Sequence, residues 1–144
     1  GVSNPDGATV SIIGTTQSNA PSTAATIAFN TTYGNTGIIV SATKTGYICT
    51  VGGTAIPSLI TGNVTGVAVS CTLRTFTLSI SNLDGATVSI TGTTQSNAPS
   101  TATAIDFNTT YGNTGVAVAA SKTSKNARSS VATNTWNVAA TNWR

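Results

Sequence analysis

Asp6 to Lys44 reads DGATVSIIGTTQSNAPSTAATIAFNTTYGNTGIIVSATK, and Asp84 to Lys122 reads DGATVSITGTTQSNAPSTATAIDFNTTYGNTGVAVAASK. The two stretches are offset by 78 residues without a gap and match at 31 of 39 positions. They differ at Ile13, Ala25, Thr26, Ala28, Ile38, Ile39, Ser41 and Thr43 of the first copy. A self-match of this length marks tandem duplication of one folding unit. The 144 residues are therefore expected to form two domains, 1–74 and 75–144.

Inside each copy the apolar residues alternate. After the Asp6-Gly7 turn signal, Val10 and Ile12 share one face and Thr9 and Ser11 the other, the pattern of a half-buried strand. A polar loop containing Pro21 follows, then the stripe Ala25, Ile27 and Phe29. Tyr33-Gly34-Asn35-Thr36-Gly37 is turn chemistry, and Ile38, Val40 and Ala42 continue on a third strand. Past Lys44 the copies diverge. Tyr47, Cys49 and Val51 make one inward stripe of the first unit, Gly52-Gly53 turns the chain, and Val67, Val69 and Cys71 make another. Phe76, Leu78 and Ile80 open the second unit. Nothing has helical period, and Thr, Val and Ile favour strands. The expected fold class is all-β: two tandem immunoglobulin-like sandwiches, joined near Leu73 to Thr75 with almost no linker as a stiff rod.

Charged residues make up 6% of the chain, and it has no Glu, His or Met. The net charge of +3 is scattered apart from a loose group at Lys122, Lys125 and Arg128. Without a clustered basic face, nucleic acid is not an expected partner. No apolar run approaches the roughly 18 residues of a membrane span. The chain starts at Gly1 with neither Met nor signal peptide, and Gly1 reads as a processed or trimmed end. Two cysteines, low charge and abundant Thr and Asn point to an exported protein, extracellular or on the cell surface. Sequons at Asn30, Asn63 and Asn108 are candidate glycosylation sites if the source glycosylates.

Cys49 and Cys71 both fall on apolar stripes, where a bridge could join two core-facing strands; two buried free thiols are the alternative. With their oxidising context, a disulfide within the first unit is the expectation. Two thiols without His or a third Cys cannot complete a zinc shell.

The pattern DGATVSI, APSTA and TYGNTGIIVSATKTGY resembles the small immunoglobulin-like, PEGA-like modules of bacterial surface proteins. Tyr47-Ile48-Cys49-Thr50-Val51, with Gly62-Asn63-Val64-Thr65 and Val69-Ser70-Cys71, is similar to repeats of large secreted bacterial proteins that carry a Cys pair around a Gly-rich turn. The resemblance covers most of Asp6 to Leu73, and the second copy as far as Lys122. It implies an extracellular β-sandwich used for stalks, adhesion or assembly, and it carries over no catalytic residue.

The chemistry is correspondingly sparse. Acid–base catalysis needs a group tuned near neutrality, and the only acids are Asp6 and Asp84, at equivalent turns, and Asp106 alone. The hydroxyls lack a His base, and Lys44 and Lys122 sit at strand ends typical of solvated lysines. No enzyme, metal or cofactor is expected. Tyr33 and Tyr111, equivalent turn residues, are candidates to stack on a glycan, against the plainer reading of a Tyr packed over a hairpin.

The repeat offset also places the counterpart of Ser79 at Gly1 and that of Ile80 at Val2, so those of Phe76 and Leu78 would precede Gly1. The first unit is therefore expected to lack most of its opening strand, leaving an apolar slot open to strand addition; trimming before Gly1 is the alternative. At the other end Trp136, Val138 and Ala140 alternate in Asn134 to Arg144, a candidate donor. The sequence thus reads as a non-enzymatic structural subunit of an extracellular filament or surface stalk, its partners further copies of itself in a head-to-tail homopolymer. The alternatives are a carbohydrate- or host-surface-binding adhesin module, or a viral fibre or decoration domain.

Overall fold

The computed structural model describes residues 1–123 and, for the backbone alone, 129–138. The chain divides into two compact units, Gly1–Thr72 and Leu73–Arg144. Every regular element among the described residues is a strand. The protein is all-β, as the alternation requires.

In the first unit the strands are β1 (Val2–Ser3), β2 (Thr9–Ile13), β3 (Thr26–Ile27), β4 (Ile39–Thr43), β5 (Tyr47–Gly53) and β6 (Val67–Leu73). One sheet has the order β3-β1-β6-β5, and β2 pairs with β4 in a second. β1 is antiparallel to β3 and parallel to β6. Val2, Ile27, Val67 and Val69 of the first sheet meet Val10 of the second in one buried cluster. Tyr47 and Cys49 are half-buried as expected, but Val51 is 36% exposed: β5 leaves the core before its end. The stripe expected at Ala25, Ile27 and Phe29 shrinks to Thr26–Ile27 in this copy, and Ala25 is exposed.

The second unit contains β7 (Thr75–Ser81), β8 (Thr87–Thr91), β9 (Ala104–Thr110), β10 (Asn113–Thr123) and β11 (Ser129–Val138). β7 pairs with β9, and β8, β10 and β11 form the order β11-β10-β8. Its core is Val88, Ile90, Ile105, Phe107, Val116 and Val118.

The duplicated stretch folds the same way twice. Val10 lies opposite Ala42 and Val88 opposite Ala120, and all five pairs of β2 with β4 recur between β8 and β10 at the repeat offset. The turn chemistry repeats as well. The fully buried Asn4 amide donates to the carbonyls of Ala8 and Ala24 at 2.8 and 3.1 Å and accepts from the Ala8 N–H at 3.0 Å. Asn82 makes the same three bonds at 2.8, 3.0 and 3.1 Å. Each buried amide ties the Asp-Gly turn to the next loop, leaving no polar atom of its own unpaired. Gly14 and Gly92 have φ of +85° and +82°, and a Cβ there would collide with the Gly37 or Gly115 carbonyl, so both positions need glycine. Lys44 and Lys122 are not merely solvated: each ammonium donates to the carbonyl of the Asp in its own copy's turn.

After that stretch the units differ. In the first, β5 and β6 sit side by side and run oppositely: Thr72 bonds to Ile48 and Thr54 to Gly66, with the Cys49–Cys71 disulfide between them. In the second, β11 instead folds back on β10, with Lys122 opposite Ser130. The bridge closes a sequence separation of 22 residues, worth about 3 kcal/mol by loop entropy. Reduction should therefore lower the stability of the first unit by about 3 kcal/mol and leave the cysteine-free second unit unmoved. Calorimetry with and without reductant, with hydrogen exchange to assign each transition, checks this.

Candidate strand-accepting groove

The sequence Phe-Asn-Thr-Thr occurs at Phe29–Thr32 and again at Phe107–Thr110. At 107–110 it is strand, paired with β7: Leu78 lies opposite Phe107 and Phe76 opposite Thr109. At 29–32 the same residues lie outside any strand; β1 spans two residues and its counterpart β7 spans seven. Val2 still faces Ile27 as Ile80 faces Ile105, so the registers agree up to the point where β1 stops.

Burial follows the pairing. Phe107 is 1% exposed and Thr109 0%, whereas Phe29 is half-buried and Thr31 exposed. On the facing sheet Val116 and Val118 are buried, and their counterparts Ile38 and Val40 are half-buried. Between these surfaces runs a groove of about 360 Å³, lined on one side by Ala28, Phe29, Asn30 and Thr31 and on the other by Ile38 and Val40. Ile56, Ile60 and Val64 add an apolar wall.

The groove also presents backbone. Asn19 bonds both backbone groups of Asn30, accepting from its N–H at 2.7 Å and donating to its carbonyl at 2.9 Å. Asn97 does the same to Asn108. In the second unit, where Asn97 holds Asn108 in this way, the flanking Phe107 and Thr109 pair with β7 on the other side. Apolar side chains and a row of backbone donors and acceptors are what an added strand needs. Asn19 and Asn97 carry no sequence motif; their one legible signal was recurrence in both copies.

The expected site residues are placed as follows. Asn30 and Asn63 are exposed and line the groove, and Asn108 is exposed on β9. Tyr33 is 83% exposed, but Tyr111 is half-buried, with its N–H bonded to the Arg74 carbonyl at 2.8 Å, so the two tyrosines are not equivalent surfaces. Trp136 and Val138 belong to β11, opposite Val116 and Asn113 of their own unit, and Ala140 lies outside the described residues. The Asp6 carboxylate accepts the Cys71 N–H at 2.8 Å, and that of Asp106 accepts the Ser79 hydroxyl at 2.6 Å. Among the described residues no group of His, Cys, Asp or Glu could hold a metal ion. No described helix is long and apolar enough to cross a membrane.

No protein-family model matches the chain, and neither does any curated protein or solved structure.

Proposed function

We propose that this chain is a non-enzymatic structural subunit of an extracellular filament or surface stalk, built from tandem immunoglobulin-like modules and joined by strand donation between copies. The observation that carries the reading is the pair of Phe-Asn-Thr-Thr segments: where a Phe-x-Leu strand lies alongside, the segment is a buried strand, and where none of the described residues does so, it lines an open groove. The second unit thus serves as an internal template for what the first would accept. The disulfide fits an oxidising, extracellular setting.

The donor is the C-terminal segment. Thr135-Trp136-Asn137-Val138 repeats the aromatic–polar–aliphatic order of Thr75-Phe76-Thr77-Leu78. In the β7 register Trp136 takes the position opposite Thr31 and Val138 that opposite Phe29. Donation exchanges the pairing of β11 with β10 for pairing with a neighbour's groove. Acceptor and donor lie in different units of the chain, so the contact is heterologous and propagates.

Deleting Asn134–Arg144 should abolish long assemblies seen by negative-stain microscopy while the first unit keeps its fold by hydrogen exchange. Filaments of normal length from the truncated chain would rule out the tail as donor.

A further inference from the structure

The second unit differs from the first along another line. Val2 is 4% exposed and Ala8 0%, and Asp6 is half-buried; their counterparts Ile80 and Ala86 are half-buried and Asp84 is exposed. Val2 and Asp6 meet β6 directly, and Ala8 shares a buried cluster with its Val67 and Val69. In the first unit β6 lies parallel to β1, with Val67 opposite Val2 and Ala68 opposite Ser3. Val67 and Val69 turn into the core at 4% and 2% exposure. The Asp6 carboxylate then caps the arrangement by accepting the Cys71 N–H at 2.8 Å.

β1 is therefore paired on both sides, by β3 and β6. Among the described residues β7 is paired on one side, by β9. The receiving geometry is nevertheless present in the second unit. Gly85 has φ +66° against +65° for Gly7, Asn82 repeats the bonds of Asn4, and Lys122 holds the Asp84 carbonyl as Lys44 holds that of Asp6.

We propose that the outer edge of β7, with the Asp84 carboxylate, is a second strand-accepting site, which takes in parallel register an uncharged extended segment of another polypeptide with small aliphatic residues at alternate positions, as in Val67-Ala68-Val69. The argument for this occupant is the first unit itself, where a strand of that kind, in that direction, covers the same three positions. The apolar alternation fills the gap beside Ile80 and Ala86, and the carboxylate selects a free backbone N–H four residues beyond the strand's first pairing. The polarity is opposite to that expected in the first-unit groove, so the two sites select different strands.

The probe is a peptide of the sequence Gly66–Leu73 carrying Cys71→Ser, added to the full chain and followed by hydrogen exchange. We expect exchange over residues 79–84 to slow at least about tenfold, and Asp84→Asn to weaken peptide binding about tenfold, as for loss of a charge-assisted bond. No slowing there, equal slowing by a scrambled peptide, or slowing confined to residues 28–32 would overturn the proposal. Because the readout lies in the second unit, its failure leaves strand donation to the first-unit groove standing, and the reverse also holds.

Discussion

Placing Thr-Phe-Thr-Leu, copied from Thr75–Leu78, ahead of Gly1 is expected to raise the melting temperature of the first unit by roughly 15 °C. The extension continues β1 in the register that Val2 and Ile27 already set, and carries Phe and Leu over the groove beside Thr31 and Phe29. Burying the two side chains contributes about 5 kcal/mol. The backbone bonds to Phe29 and Thr31 add about 3 to 4. Ordering four residues costs about 6. Roughly 2 to 3 kcal/mol remains, and a domain of this size gains about 4–8 °C per kcal/mol. An extension with Ser in place of Phe and Leu keeps the chain length but loses the burial, and should shift the transition little. Calorimetry of the two extended chains checks the prediction, and an equal shift for both would show that the groove does not take up apolar side chains. Filled from its own chain, the first unit should also stop accepting a neighbour's strand, so the same variant should remain monomeric.

Phe107→Ala and Phe29→Ala should differ sharply although they change the same residue at equivalent positions. Phe107 is 1% exposed and packed among Ile105, Val116 and Leu78. Its truncation leaves a cavity and costs about 3–5 kcal/mol. A unit of about 70 residues rarely holds more than that, so the second unit should be largely unfolded at room temperature. Phe29 borders open space, which can relax, and its loss should cost about 1–2 kcal/mol. Near-ultraviolet dichroism and denaturant melts of the two variants give the comparison. Equal losses would mean that Phe29 is as firmly packed as Phe107.

The repeat by itself determined the all-β class and the identical pairing of Val10 with Ala42 and of Val88 with Ala120. Alternating apolar residues between Gly and Asn turns leave each strand one face to bury, and identical sequence chooses the same face twice. The cysteine stripes likewise raised the Cys49–Cys71 bridge as the expectation over two buried free thiols, and the adjacency of β5 and β6, which the sequence did not give, allows it. Sequence could not locate the buried amides of Asn4 and Asn82, because a polar residue beside a turn looks the same whether it faces solvent or holds three backbone groups. Nor could it separate Tyr33 from Tyr111, whose neighbourhoods diverge only through the chain segments packed near them. The repeat offset raised an open slot in the first unit as an expectation, but the state of each Phe-Asn-Thr-Thr segment is set by its tertiary neighbours. A strand is a relation between two segments, and Phe29–Thr32 and Phe107–Thr110 differ in what lies beside them, a distant stretch of backbone that no local pattern encodes.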